Sequence, residues 1–223
     1  MERHYRVGAR TSPLALKQVG EALAGLRSFY PGFKAEIAGI DTRGDRDRLS
    51  SLLKMEGSDF FTGEIDDALL EGAIDFAVHS AKDLPDIMDK GLQLAAVTGS
   101  VDPFDALVSK SGLVLDELPR GARVGTSSRR RRQGLEEYRS DLRLVDIRGN
   151  IGERLRLLDR DALDAVVTAS AALIRLGWED KIAQRIPFNI IEPHPLQGSL
   201  ALVARRDDPE LAGILSVLDA RGK

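Results

Sequence analysis

The chain has 223 residues, of which 43% are hydrophobic and 30% charged, and its formal net charge is −3. This composition fits a globular protein of one large domain or of two domains of about a hundred residues each. Any anion-binding role must come from local clustering of arginine and lysine, because the net charge is small. The sequence contains no cysteine, which excludes disulfides, thiolate metal sites and cysteine nucleophiles within it.

Other classes are also disfavoured. His4, His79 and His194 lie far apart in the sequence, so none of them pairs at a zinc-site spacing and no metal is expected. No apolar signal-peptide core follows the charged N-terminus, and no segment approaches the ~18–20 apolar residues that span a bilayer. We therefore expect a cytoplasmic protein without a membrane partner. Aromatic residues make up only 5%, which offers no stacking platform for a nucleic acid.

Short apolar runs alternate with amphipathic stretches along the first half of the chain. A strand at residues 6–9 leads into a helix that Ser12 caps and Pro13 opens. A second strand is predicted at 33–40, and a helix ending at Gly72 precedes strands at 76–79 and 92–97.

The same alternation continues in the second half. Strands are predicted at 105–108, 123–125, 142–147 and 165–169, with Ser127 and Ser128 as caps of the helix after the second of them. Another helix begins at Ile151, and a strand at 200–204 and a helix over 211–218 close the chain. This order predicts an α/β fold with largely parallel sheets.

Two turn-rich segments are candidate domain crossings. They lie at residues 98–103 and 193–198, and two crossings would return the last strand and helix to the first domain. The predicted domains are therefore 1–98 plus 200–223, and 99–199.

Arginine placement is the most informative chemical pattern. Several arginines follow predicted strands, close to helix starts or within the following helix. They are Arg10, the run at 129–132, Arg148, Arg154 and Arg175. Ligands of open α/β sheets bind at the carboxyl ends of strands, where helix N-termini offer free N–H groups. Guanidinium groups there would bind carboxylates or phosphates. A solvated surface patch is the alternative reading of the arginine run.

A second pattern lies at residues 79–85, directly after a predicted strand. Asp83 stands beside Lys82, whose charge favours an ionised carboxylate. Such an aspartate could stabilise a developing cation or transfer a proton. The alternative is an ordinary turn aspartate close to Pro85.

Seven ordered segments resemble the porphobilinogen deaminase family, and the resemblance covers nearly the whole chain. The segments are RVGARTSPLAL (6–16), DTRGD (41–45), LLEGAIDFAVHSAKDLP (69–85), DPFDALVS (102–109), VGTSSRRRRQ (124–133), IRGNIGERL (147–155) and LQGSLAL (196–202).

The resemblance implies two periplasmic-binding-protein-like (type II) domains joined by two hinge segments, plus a small third domain. It also implies a transferase of tetrapyrrole, porphyrin and heme biosynthesis, the hydroxymethylbilane synthase. That enzyme condenses four porphobilinogen units head to tail through oligopyrrole intermediates and loses ammonia each time. Each unit carries an acetate and a propionate, which would explain an arginine-lined cleft.

The resemblance also assigns residues. Asp83 falls on the family's catalytic aspartate, which assists departure of the aminomethyl nitrogen and stabilises the resulting azafulvene cation. Arg129 takes a position that the family usually gives to leucine, so the register of the arginine run is open by one residue. The matched substrate- and cofactor-binding positions are Arg10, Ser12, Lys54, Lys82, Thr126, Ser127, Ser128, Arg130, Arg131, Arg148, Gly149, Arg154, Arg175 and Gln197.

The sequence departs from the family in two places. The family tethers a dipyrromethane primer to a cysteine of its third domain, whereas this sequence has no cysteine and ends at Lys223, near where that domain should begin. Ser58 and Asp59 replace the family's lysine and glycine. Glu56 and Asp59 add negative charge to this loop, which would weaken the binding of carboxylates.

Two hypotheses remain open on these grounds. One is a deaminase that is impaired or needs an untethered primer, held noncovalently or with the missing domain supplied by a separate chain. The alternative is a non-catalytic binding module for a linear tetrapyrrole or another polycarboxylate. A solute-binding or effector-sensing protein that shares only the fold is a weaker third reading.

Overall fold

The computed structural model describes residues 3–47, 58–160 and 162–222. These residues form two compact units. Unit 1 comprises residues 3–47, 58–100 and 199–222, and unit 2 comprises residues 101–160 and 162–198. The chain leaves unit 1 after Ser100 and returns to it at Ser199.

The order of elements alternates strands with helices, as the sequence predicts. In chain order the described elements are β1 (His4–Arg10), α1 (Pro13–Phe29), β2 (Lys34–Ile40), α2 (Arg43–Arg46), α3 (Gly63–Leu70), β3 (Phe76–Ser80), β4 (Leu92–Val97), β5 (Asp105–Ser109), β6 (Arg123–Gly125), α4 (Arg129–Tyr138), β7 (Arg143–Val145), α5 (Ile151–Asp159), β8 (Ala165–Ala169), α6 (Ser170–Leu176), β9 (Gln184–Ile186), β10 (Leu200–Arg205) and α7 (Pro209–Leu215).

Unit 1 is built on a five-stranded sheet of order β2-β1-β3-β10-β4. Strands β1, β2 and β3 are parallel, and β10 runs antiparallel to both of its neighbours. Alternate side chains of β3 therefore enter different cores. Phe76 packs among residues of α1 and α7, whereas Ala77 packs with Ile65 and Leu69 of α3.

Unit 2 repeats this plan with a sheet of order β7-β6-β8-β5-β9. Strands β6, β7 and β8 are parallel, and β5 is antiparallel to β8 and β9. Leu135 of α4 is fully buried against one face of the sheet, and Leu158 of α5 and Leu173 of α6 pack on the other. Both sheets are thus largely parallel, with one reversed strand each.

Two predicted helix starts differ in how they are capped. Ser12 caps α1 as predicted, since its Oγ accepts a hydrogen bond from the Ala15 N–H at 3.2 Å and Pro13 opens the helix. Ser128 occupies the N-cap of α4, but its side chain forms no capping bond within the described part of the chain. In the described ranges, no helix has the length and apolar character needed to cross a bilayer.

Candidate active site

The carboxyl ends of β1, β2 and β3 meet at one edge of the unit 1 sheet because the three strands are parallel. We call the residues that follow them edge 1: residues 10–12, 41–45 and 81–83. Four of the predicted site residues lie there, namely Arg10, Ser12, Lys82 and Asp83.

Arg10 is held at edge 1 by Asp45, which follows β2. The Arg10 Nε lies 3.1 Å from each carboxylate oxygen, and Nη2 donates a further bond to Oδ1. The backbone N–H and hydroxyl of Thr42 also donate to Asp45 Oδ2, at 3.1 and 2.8 Å. Burial opposes ionisation of Asp45, but hydrogen bonding and the charge of Arg10 outweigh it and lower the pKa. The Arg10 guanidinium also stacks 4.4 Å from the ring centroid of Phe61.

Asp83 ends the short 3₁₀ turn Ala81–Asp83 that follows β3 directly, and it is exposed. His79, the next-to-last residue of β3, is only 6% exposed. Burial lowers the pKa of His79 to about 4, with Asp83 opposing this shift and Arg10 adding to it. His79 is therefore neutral at pH 7, and the charges of Asp83 and Arg10 both lie within electrostatic reach of its ring.

Gln18 of α1 is a polar residue beside edge 1 that the sequence analysis did not single out. It is 5% exposed, and its Nε2 donates to Ser80 Oγ at 2.8 Å, which ties α1 to the end of β3. Its position on the buried face of an amphipathic helix was the available signal, because a buried amide normally has a specific partner.

The altered loop is only partly described. Lys54 and Glu56 lie outside the described residues, so their predicted roles stay predictions. Asp59 is exposed and accepts a hydrogen bond at 2.9 Å from Nη2 of Arg43, so an arginine of the same unit balances its charge.

In unit 2 the parallel strands β6, β7 and β8 end at one edge, where the antiparallel β5 begins. We call this edge 2, and it comprises residues 103–105, 126–131, 146–154 and 170–175 with Gln197 beside them. Ten predicted site residues lie here: Thr126, Ser127, Ser128, Arg130, Arg131, Arg148, Gly149, Arg154, Arg175 and Gln197.

Two hydroxyl residues brace the loops of edge 2. The buried Ser127 Oγ accepts from the Ile147 N–H at 3.0 Å and also donates to the Ile147 carbonyl, which joins the loops after β6 and β7. Thr126 is fully buried, and its Oγ1 accepts a long 3.4 Å bond from the Ser128 N–H. Both side chains thus shape the approach to the N-terminus of α4.

Asp105 gathers three of the predicted binding residues of edge 2. Its side chain is fully buried and accepts bonds from Nη2 of Arg130 at 2.8 Å and from Nε and Nη2 of Arg131 at 2.9 and 2.7 Å. Gln197 Nε2 donates to the same carboxylate at 3.0 Å. One carboxylate faces two guanidinium groups, so the cluster keeps one net positive charge.

The segment before α5 also depends on local geometry. Gly149 has φ +95°, a conformation that favours glycine, and Asn150 and Glu153 form a capping box at the start of the helix. Arg154 Nε donates to the Gly149 carbonyl at 2.8 Å. A cavity of about 320 Å³ lies beside this segment, lined by Arg148, Gly149, Glu153, Arg156, Leu157 and Arg160.

Arg175 closes edge 2 from the last turn of α6. Its Nη2 donates to the Gly198 carbonyl at 2.8 Å, next to Gln197. Edge 2 therefore combines several guanidinium groups with the N-termini of α4 and α5, which is the donor set expected for a ligand with several carboxylates.

Comparison with known proteins decides the family. The model of the family described as "Porphobilinogen deaminase, dipyromethane cofactor binding domain" matches residues 5–213. The chain belongs to the porphobilinogen deaminase family. This is a transferase family with a role in tetrapyrrole biosynthesis.

Curated relatives of the family agree. Porphobilinogen deaminase of Natranaerobius thermophilus is 46% identical over 215 residues, which cover 96% of this chain and 69% of the relative. That of Rubrobacter xylanophilus is 47% identical over 213 residues, with 96% and 69% covered. The chain thus spans about 70% of the length of these deaminases.

Solved structures show the fold class. The methionine-binding protein MetQ aligns with a TM-score of 0.59 at 15% identity, covering 96% of this chain and 89% of the other. An ancestral arginine-binding protein aligns with a TM-score of 0.51 at 18% identity, covering 98% and 92%. The chain therefore has the two-domain, type II periplasmic-binding-protein-like fold that the family resemblance implies.

The family description names a dipyrromethane cofactor. The residues of this chain fit the carboxylates of such a molecule but not its covalent tether. No cysteine occurs in the sequence, so none of its residues can form the thioether tether. The guanidinium groups and helix N-termini of edge 2 do fit the acid side chains of such a molecule. The residues present therefore suit noncovalent binding.

Proposed function

We propose that this chain acts as a hydroxymethylbilane synthase and joins porphobilinogen units with loss of ammonia. The carrying observation is Asp83, an exposed carboxylate that directly follows β3 at edge 1, within electrostatic reach of the buried His79. Among the proposed binding residues, Arg10, Ser12, Lys54 and Lys82 would act with Asp83. The ten residues of edge 2 would form the site for carboxylates, the buried ones by holding its shape. We assign residues 1–98 plus 200–223 and 99–199 as the functional domains, and the cytoplasm as the location.

The proposed chemistry of Asp83 is electrostatic. When the C–N bond of the aminomethyl group breaks, ammonia leaves and the pyrrole becomes an azafulvene cation. A carboxylate placed at that carbon stabilises the developing positive charge and favours the transition state. The next pyrrole carbon then forms the C–C bond and loses its proton. A dipyrromethane, when bound, supplies the first pyrrole carbon for this bond.

The binding residues have a different proposed task. Arg130, Arg148, Arg154 and Arg175 would pair with acetate and propionate groups, since guanidinium groups bind carboxylates in bidentate fashion. These 223 residues include no cysteine, so we propose that they hold a primer by noncovalent contacts. Loss of an untethered primer between additions would make the enzyme slow or non-processive.

The test is ammonia release and bilane formation from porphobilinogen, with and without added dipyrromethane or preuroporphyrinogen. Intact mass after incubation would reveal any covalent adduct. We expect turnover that depends on added primer and no adduct on this chain. No turnover under any of these conditions would reject the enzymatic function.

The guanidinium groups of edge 2 also suit a second candidate, a non-catalytic binding module for a linear tetrapyrrole or another polycarboxylate. Binding of hydroxymethylbilane without turnover of porphobilinogen would support it. Asp83 argues against it, because a pure binder gains nothing from an exposed anion close to an anionic ligand.

A further inference from the structure

We infer that Asp105 is the positioning residue for Arg130, an anion-binding arginine of edge 2, an inference that rests on the proposed binding of carboxylates there. Asp105 begins β5, and its side chain is fully buried. It contacts no solvent and so cannot bind a ligand itself. Its role has to act through the groups that it holds.

The two arginines that Asp105 binds have different amounts of donor capacity left. All three guanidinium nitrogens of Arg131 are bonded, two to Asp105 and Nη1 to the Val167 carbonyl at 3.4 Å. Its side chain is only 7% exposed. Arg131 is therefore a buried residue that joins α4 to β8.

Arg130 has the opposite character. Its Nη2 bonds to Asp105 and its Nη1 donates to the Glu192 carbonyl, but its side chain is 28% exposed. Within the described ranges, its Nε has no hydrogen-bond partner. Asp105 thus fixes the orientation of the one guanidinium of the pair that can still receive an anion.

Gln197 extends this arrangement to the segment before β10. Its Nε2 donates to Asp105 at 3.0 Å and to the Pro103 carbonyl at 2.8 Å, and its Oε1 lies 3.5 Å from Nη2 of Arg130. The side chain is 1% exposed. Asp105 therefore fixes the start of α4 and the segment around Gln197 relative to each other.

Positioning and simple electrostatics predict opposite effects of removing the charge of Asp105. If the carboxylate only lowered the local potential, Asp105→Asn would raise the net charge of the cluster and tighten anion binding. If it positions Arg130, the asparagine amide would present N–H donors to guanidinium donors and release the arginine. Binding would then weaken although the cluster had become more positive.

The chain offers a matched control three residues earlier. Asp102 is also buried and also pairs with an arginine, accepting from Arg185 Nε at 2.8 Å and from the Phe104 N–H at 2.8 Å. Among the described residues, it forms no hydrogen bond or ion pair with a predicted binding residue. Asp102→Asn therefore reports the cost of disrupting a buried ion pair of unit 2 away from Arg130.

The experiment is equilibrium calorimetry on the full chain carrying Asp83→Ala, so that no turnover occurs. Porphobilinogen is one probe, and citrate, a tricarboxylate without a pyrrole, is the other. We expect Asp105→Asn to weaken binding of both probes at least about tenfold and Asp102→Asn to change it less than about twofold. Asp105→Glu, which keeps the carboxylate, should recover part of the loss.

The outcomes separate this inference from the proposed function. Suppose that the parent does not bind porphobilinogen but binds citrate, and that Asp105→Asn weakens citrate binding. This result rejects the proposed function and supports the positioning role. Equal or tighter binding by Asp105→Asn, or no binding of either probe by the parent, overturns the positioning role. If Asp105→Asn does not fold, the double variant with Arg131→Gln removes the unpaired buried charge, and parent-like affinity in it would also overturn the role.

Discussion

Arg10 and Asp45 form a bidentate ion pair that joins the end of β1 to α2, the short helix that follows the neighbouring strand β2. Nε of Arg10 lies 3.1 Å from both oxygens of Asp45, although the residues are 35 positions apart in the sequence. The arginine that the family resemblance assigns to substrate binding is thus already held by a carboxylate of the chain itself. Asp105 has the same relationship with Arg130 in unit 2.

Asp45→Asn should therefore weaken both the fold of unit 1 and the proposed ligand binding. The pair is partly exposed, so we expect a loss of about 1–2 kcal/mol in the free energy of unfolding at pH 7. The pKa of Asp45 is lowered in the folded state, so its contribution is present at neutral pH and is lost as the pH falls through the acidic range. Urea unfolding at pH 7 and pH 3 measures this difference.

Asp41→Asn is a suitable comparison for Asp45→Asn. Asp41 lies in the same loop and accepts a bond from the exposed Thr11 hydroxyl, but it does not contact the guanidinium of Arg10. Its replacement should cost less than that of Asp45. Equal losses in both variants would mean that the pair with Arg10 contributes nothing specific.

Asp83→Ala separates catalysis from binding. Because Asp83 is exposed at the end of its turn, its removal should leave the fold intact. We expect ammonia release from porphobilinogen to be abolished, while the affinity for a polycarboxylate stays unchanged or rises, because a nearby negative charge is gone. Turnover at the parent rate in this variant would remove Asp83 from the mechanism.

The sequence predicted those parts of the structure that depend on short-range signals. The strand before Asp83 is an apolar run, and Ser12-Pro13 is a local helix start; both are confirmed. Asp45 and Asp105 lie within motifs that carried the family resemblance, yet their pairing with arginines was not predicted. Those pairs depend on which strands are neighbours, and a one-dimensional pattern does not contain the strand order.

Short strands were also difficult to predict from the sequence, for a physical reason. Strand β9 has three residues, of which only Ile186 is buried, so it shows no alternation to detect. Strand β7 is three residues long where six were predicted, because Asp146 and Ile147 already belong to the loop that Ser127 holds. Ser127 was predicted to cap α4, and this prediction was wrong because its hydroxyl bonds to Ile147 instead.

His79 should make unit 1 sensitive to mild acid. Its pKa is lowered to about 4 by burial, against an ordinary value of 6.5, so the unfolded chain binds the proton first as the pH falls. Stability is therefore fully present above pH 6.5 and is lost as the pH falls towards 4, by about 2 kcal/mol between pH 7.5 and pH 5. His79→Leu should lack this part of the pH dependence.

The measurement is chemical unfolding of the parent and His79→Leu at both pH values. Asp66, whose pKa burial raises to about 6, acts in the opposite direction over this range, but it is present in both proteins and cancels in the comparison. The variant should be no less stable at pH 7.5, because the buried Nε2 has no hydrogen-bond partner among the described residues. A pH dependence identical to the parent's would show that His79 does not titrate as its burial implies.

Two glycines three residues apart test the geometry before α5. In Gly149→Ala the added Cβ would lie 2.7 Å from Glu153 Oε2 and 3.0 Å from Glu153 Cβ, at a backbone φ of +95°. The capping box would have to open and the backbone would be strained, so we expect a loss of about 1–3 kcal/mol. Binding of polycarboxylates should weaken as well, since Arg154 donates to the Gly149 carbonyl.

Gly152→Ala is the matched control, and it lies within α5. Its nearest neighbour would be the Trp178 ring at 3.4 Å, an ordinary contact, and alanine is favoured over glycine in a helix by about 1 kcal/mol. This variant should be as stable as the parent or more stable, with unchanged binding. Thermal unfolding of both variants decides the point, because a similar loss in Gly152→Ala would attribute the effect to α5 as a whole instead of to the turn at Gly149.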